Sequence, residues 1–137
     1  MNDGKELRGT VTYNLDYKGR ICIRNFRPII GEKVVLLDSR EGDCIDVYTE
    51  KDFEAKMERA NALKKEMGAK FVRDLIRYIS TKFIDSKEID KQYRLQIPKK
   101  AIDKYNLSGE TVIVGKVKKL SIYNKEAYEN YKKSLFE

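Results

Sequence analysis

Asp16-Tyr17-Lys18-Gly19-Arg20 gathers an acid, two cations and a glycine into five consecutive residues. Gly19 accepts a positive φ, so the stretch suits a tight turn between two strands. Asp16 can accept hydrogen bonds from the N–H groups of such a turn and stiffen it. A rigid turn tipped with Lys18 and Arg20 suits contact with nucleic acid. Arginine grips guanine O6 and N7 through two parallel bonds, and lysine brings a point charge to phosphate. One turn of this composition is more often a solvated surface hairpin. This one has a counterpart, however: Asp90-Lys91-Gln92-Tyr93-Arg94 repeats the acid and the arginine at the same separation. Gln92, standing where the first turn has Lys18, matches the N6/N7 edge of adenine. Candidate contacts to nucleic acid are therefore Lys18, Gly19, Arg20, Gln92 and Arg94, with Asp16 and Asp90 shaping the turns.

Other chemistries find little support. The chain has no histidine, which removes His-based triads, the commonest metal ligand and the commonest general acid or base. Cys22 and Cys44 form no Cys-x-x-Cys pair, so buried free thiols are expected, with neither a metal site nor a redox motif. Asp16 and Asp90 could be imagined as a catalytic carboxylate pair, but each sits beside basic residues with no nucleophile nearby. An enzyme is not expected, nor a cofactor or a small-molecule substrate. The 29 lysines and arginines exceed the 22 acids, giving a net charge of +7 and a pI near 9.3, a balance that favours polyanionic partners. Met1 to Glu6 has no apolar run and reads as no signal peptide. No stretch approaches the ~20 apolar residues of a membrane span, so a cytoplasmic protein without a membrane partner is expected.

The elements that hold the two turns form an internal repeat. Asp16 and Asp90, like Arg20 and Arg94, stand at an offset of 74 (from 16 to 90). Val34-Val35-Leu36-Leu37 echoes Thr111-Val112-Ile113-Val114, and Ile45-Asp46-Val47-Tyr48 echoes Leu120-Ser121-Ile122-Tyr123. Two copies are too few for a solenoid, so they are expected to pair with each other. In each, a strand reaches Leu15 or Ile89, the charged turn follows, and a second strand sets Ile21 and Ile23, or Leu95 and Ile97, on one face. A link comes next, Asn25 to Gly31 or Pro98 to Leu107, with Pro98 suited to the first turn of a short helix. Two apolar strands close the copy. Thr49, with Asp52 three residues on, reads as a helix cap. Phe53, Met57, Ala60, Leu63 and Met67 then run at helical spacing to a stop at Gly68, and a second helix carries Phe71, Val72, Leu75, Ile76 and Ile79. Asn124 caps a third helix bearing Tyr128, Tyr131 and Leu135.

Leu15-Asp16-Tyr17-Lys18-Gly19-Arg20 resembles the Leu-Asp-x-Lys-Gly-Arg motif of the MraZ family. Asp90 to Pro98 resembles that family's second motif, Asp-x-x-Gly-Arg-h-x-h-Pro, with Tyr93 in place of glycine. The resemblance extends over roughly residues 8–133. It implies an α+β fold, a duplicated AbrB-type swapped-hairpin β-barrel with flanking helices: one half-domain at 8–52, linking helices at 53–81 and the second half-domain at 83–128. It implies a sequence-specific DNA-binding transcriptional regulator on the nucleoid. Such a protein binds short promoter repeats in double-stranded DNA as a homo-oligomeric ring, usually repressing the division and cell-wall gene cluster that includes its own gene. The alternative is an oligomeric scaffold or interaction module with weak DNA binding. A toxin-partnered AbrB regulator is a third reading, disfavoured because both halves carry the strand pattern and leave no free tail. The chain departs from the family pattern at Arg24, which replaces a proline and adds a candidate DNA-contacting cation. It departs again at Tyr93, where a left-handed conformation costs about 1–2 kcal/mol, so the second turn is expected to be reshaped.

Overall fold

Polar–apolar alternation builds half-buried strands and apolar runs build strands buried on both faces, and each copy supplies two of each kind. The structure, a computed structural model, describes residues 6–26, 29 and 31–135. The first copy forms β1 (Thr10–Asn14), β2 (Arg20–Cys22), β3 (Lys33–Asp38) and β4 (Ile45–Thr49). The second forms β5 (Phe83–Glu88), β6 (Arg94–Gln96), β7 (Glu110–Gly115) and β8 (Leu120–Asn124). The helices are α1 (Glu50–Ala62), α2 (Lys64–Met67), α3 (Ala69–Thr81), α4 (Lys99–Lys104) and α5 (Lys125–Ser134). The class is α+β with antiparallel pairing. The leader expectation, apart from Glu6, and part of the Asn25 to Gly31 link lie outside the described residues.

The copies pair with each other, and they do so by exchange. The main sheet runs β1-β7-β8-β4-β3-β5, and β2 pairs with β6 in a separate ribbon. Each copy's first strand thus lies against the third strand of the other copy. Interchanging the copies reverses the sheet order without changing it, which is the mark of an internal pseudo-twofold axis. The registers locate that axis: Ile21 pairs with its equivalent Leu95 in the ribbon, and Asp46 with its equivalent Ser121 in the sheet.

Alternation along the strands divides the interior in two. Val34, Leu36, Ile45, Val47, Ile113, Leu120 and Ile122 face the ribbon, where Ile21, Ile23, Leu95 and Ile97 complete a fully buried core. Tyr105 and Leu107, just after α4, belong to that same core. On the opposite face Val35, Leu37 and Tyr48 pack with Phe53 of α1. Tyr123 stacks on Tyr131 of α5 with ring centroids 5.2 Å apart. The ribbon and its turns therefore form one layer, the main sheet the second, and most of the helical mass the third.

Thr49 caps α1, its Oγ1 accepting from the Asp52 N–H at 3.0 Å. Asn124 caps α5, its Oδ1 accepting from the Ala127 N–H at 2.7 Å. Two details differ from the sequence expectation. The helical run from Phe53 to Met67 breaks at Leu63, whose N–H turns back to Ala60 and Asn61 in a tight terminal turn before α2 begins. Pro98 sits one position earlier than expected, as the N-cap residue, with its carbonyl accepting from Ala101 and Ile102 at 3.0 Å each.

Candidate nucleic-acid interface

The two charged turns share one hydrogen-bond pattern. Asp16 Oδ1 accepts from the backbone N–H groups of Lys18 and Arg20, both at 2.9 Å, and its Oδ2 accepts from Arg20 Nε at 2.8 Å. Asp90 Oδ1 accepts from Gln92 at 2.8 Å and Arg94 at 2.9 Å, and its Oδ2 from Arg94 Nε at 2.8 Å. The backbone closes both turns alike: the Gly19 N–H donates to Asp16 O, and the Tyr93 N–H to Asp90 O, at 3.0 Å each. The Arg20 N–H contributes most to holding the Asp16 carboxyl below its ordinary pKa. At Asp90 burial acts in the opposite direction, but the bonds from Arg94 and Gln92 together outweigh it, and that pKa is lowered too.

Exchange of strands bolts each turn to the other copy. The Ile97 N–H donates to Gly19 O at 3.0 Å, and the Ile23 N–H donates to Tyr93 O at 2.8 Å. Gln96 Nε2 adds a bond to Lys18 O at 2.7 Å. Gly19 has φ +77°, a conformation that calls for glycine, whereas a Cβ there would come within 2.8 Å only of Ile102 Cδ1, the flexible end of a side chain that can shift. Tyr93 corrects the sequence expectation. It takes φ +63°, and the second turn keeps the geometry of the first instead of being reshaped. Left-handed strain persists where the surroundings over-determine the backbone; here the Asp90 bonds and the Ile23 bond do so. The ring of Tyr93 carries the Arg24 guanidinium at 5.0 Å from its centroid.

The sequence candidates fall into two kinds. Lys18, Arg24 and Gln92 are exposed, whereas Arg20 and Arg94 fold back on their aspartates with only 20% and 29% of the side chain accessible. That fold-back engages Nε, and the aspartate fixes the plane of each guanidinium. The sequence reading passed over Tyr17, which stands at the tip of the first turn and is 90% exposed. It also passed over Lys99, which lines with Lys18, Gln96 and Asp103 an open cleft of about 450 Å³ beside that turn. The signal for Tyr17 was present: an aromatic residue in the variable place of a polar turn has no core to enter. Lys99 carried none, because only the exchanged topology brings α4 to the first turn.

Away from the turns, Asp46 is buried and accepts from Ser121 Oγ at 2.7 Å and Lys119 Nζ at 3.0 Å. Burial pushes the Cys44 thiol up to about 12, which leaves it protonated and inert near neutrality. Among the described residues no grouping of acidic and cysteine side chains could hold a metal ion, and no helix is long and apolar enough to cross a membrane.

Comparison with known proteins agrees with the motif reading. A family model described as "MraZ protein, putative antitoxin-like" matches residues 85–137, a span that takes in the second turn and α5. A protein named transcriptional regulator MraZ from Lachnoclostridium phytofermentans is 33% identical over 123 residues, spanning 89% of this chain and 84% of the relative. Its namesake from Caldanaerobacter subterraneus subsp. tengcongensis is 30% identical over 132 residues, spanning 93% and 87%. A third, from Thermoanaerobacter sp., is 30% identical over 129 residues, spanning 91% and 85%.

Proposed function

The chain belongs to the MraZ family, and from that premise we propose that it is a transcriptional regulator that binds promoter DNA through its two Asp–Arg turns. The observation that carries this reading is the matched pair of turns, each holding its arginine by a carboxylate and each bolted to the other copy. Arg94 lies opposite Cys22, two residues along β2 from Arg20. At ~3.4 Å per residue the arginines stand about 7 Å apart along the ribbon, near two base-pair steps of duplex. Preorganised guanidinium groups at that spacing suit base edges two steps apart, with Lys18, Arg24 and Gln92 beside them for phosphate and base contacts.

On the same reading the exchanged strands make a duplicated AbrB-type swapped-hairpin barrel, with half-domains at 8–52 and 83–128 joined by helices at 53–81. Several chains assemble as a ring on short promoter repeats and repress the division and cell-wall cluster, the chain's own gene included. Such a regulator works on the nucleoid in the cytoplasm and needs no catalytic group. The scaffold alternative draws on the exposed apolar side chains of α2 and α3 and treats the turns as solvated.

A competition assay separates the two readings, using the duplex immediately upstream of the gene against random duplex. Arg20→Ala or Arg94→Ala is expected to cost about 1–3 kcal/mol per lost base contact and to narrow the preference for the upstream duplex. Lys132→Ala, on α5, is expected to leave that preference unchanged. If Arg20→Ala competes as well as the parent chain while folded and oligomeric, the scaffold reading takes over.

A further inference from the structure

The pseudo-twofold axis makes the two turns comparable position by position, and they differ in a correlated way. Continuing the β2/β6 register sets Pro98 opposite Lys18 and Arg24 opposite Gln92, a continuation supported by the Ile97 and Ile23 bonds across the ribbon. One end of the ribbon thus carries Lys18, Gly19 and Pro98. The other carries Gln92, Tyr93 and Arg24. The cation that Gln92 lacks reappears directly across from it, and the residue between them supplies a ring on which that cation rests.

We propose that Tyr93 is a positioning residue that holds Arg24 as the phosphate contact of the second turn, in the role Lys18 plays for the first. This rests on the DNA-binding reading of the turns. A guanidinium 5.0 Å from a ring centroid lies within cation–π range. Stacking uses the flat face of the guanidinium and leaves its N–H donors free at the edge, the arrangement that recognises a phosphate. Arg20 and Arg94 each spend Nε on a carboxylate, whereas among the described residues no carboxylate pairs with Arg24, which is exposed. Tyr93 meets Arg24 from a backbone held at φ +63°. Glycine there would relieve the strain and release the guanidinium.

The test measures binding to the upstream duplex and to a random duplex across a series of salt concentrations. Arg24→Ala is expected to lower the log–log salt slope by about 0.9 per bound chain, the value of one phosphate, so that the affinity lost between about 50 and 200 mM salt shrinks about threefold. Tyr93→Asn removes the ring yet tolerates positive φ; it is expected to produce the same loss with Arg24 still present, and Tyr93→Gly serves as a second ring-free variant. Tyr93→Phe retains the parent slope. The double variant Arg24→Ala/Tyr93→Asn falls no further than either single change, a non-additivity that a merely structural tyrosine would not produce. An unchanged slope in Arg24→Ala overturns the proposal, and so does an unchanged slope in the folded ring-free variants. If Arg20→Ala loses specific binding while these variants are silent, only this proposal falls. If the parent chain binds neither duplex, the DNA-binding reading falls with it.

Discussion

A carboxylate that accepts three N–H bonds resists protonation, and Asp16 and Asp90 are both held in this way. Each folded-state pKa lies below the ordinary value of 3.8. The stability these contacts contribute is therefore fully present above the unfolded pKa and is lost as pH falls through the lowered folded one. Carboxyl carbon shifts followed by NMR are expected to give both aspartates midpoints below 3.8. Arg20→Ala should return Asp16 only part of the way, because the largest contributor is a backbone N–H that alanine retains. A midpoint at the ordinary value in the parent chain would mean the turn is not latched. At this scale the sequence was informative about residue types and silent about pairing. The spacing of Asp16 to Arg20 and Asp90 to Arg94 identified both turns, but not that each arginine would fold back on its aspartate. Tyr93 was misjudged because a one-residue rule weighed its φ alone. Bonds to Asp90 and Ile23, partners remote from Tyr93's own side chain, hold the turn in shape.

Strand β7 ends at Gly115, where the amino-terminal segment crosses its backbone. Leu7 and Val117 exchange N–H···O bonds at 2.8 Å each, and the Gly115 N–H donates to Gly9 O at 2.7 Å. Leu7 is thereby delivered to the main core at 3% exposure. A Cβ on Gly115 would lie 2.6 Å from Arg8 N and 2.7 Å from Leu7 C, both backbone atoms that cannot swing aside. Gly115→Ala is expected to cost about 1–3 kcal/mol, as overpacking does. Gly109→Ala, with nothing within 4 Å of the added carbon, should stay within about 0.5 kcal/mol. Urea unfolding of the two variants checks this, and equal midpoints would show that the crossing contributes nothing. Period-two alternation marked Ile21, Ile23, Leu95 and Ile97 as inward, and apolar runs marked the strands that close each copy, since both are local properties. Neither said that β1 would lie on β7 or β5 on β3. That exchange sets Thr10 against Val114 and Lys33 against Glu88, partners far apart along the chain, for which only the repeat offered a hint.

The surface left over by the exchanged fold is uneven. The helices between the copies carry Met67 at 51%, Phe71 at 43% and Tyr78 at 46% exposure, with Phe83 at 48% just after them on edge strand β5. Phe71 and Tyr78 are seven residues apart and share one face of α3, whose inner face is already spent on Val72 and Ile79. Large apolar side chains exposed within the short span from Met67 to Phe83, in a chain with 37% charged residues, mark an interaction surface more readily than scattered ones do. On the proposed reading the occupant is another copy of the chain. Light scattering at micromolar concentration is expected to give a mass well above 16.0 kDa. Because Phe71 and Tyr78 are exposed in the single chain, Phe71→Glu/Tyr78→Glu should leave each chain folded and lower the measured mass. Salt dependence gives an independent check. Chains that bind as one assembly release counterions together, with a slope of about −0.9 for each phosphate neutralised, so dissociating them should flatten the log–log plot as the mass falls. A parent chain that runs as a clean monomer would remove the ring from the mechanism and leave each promoter repeat to be read by one chain alone.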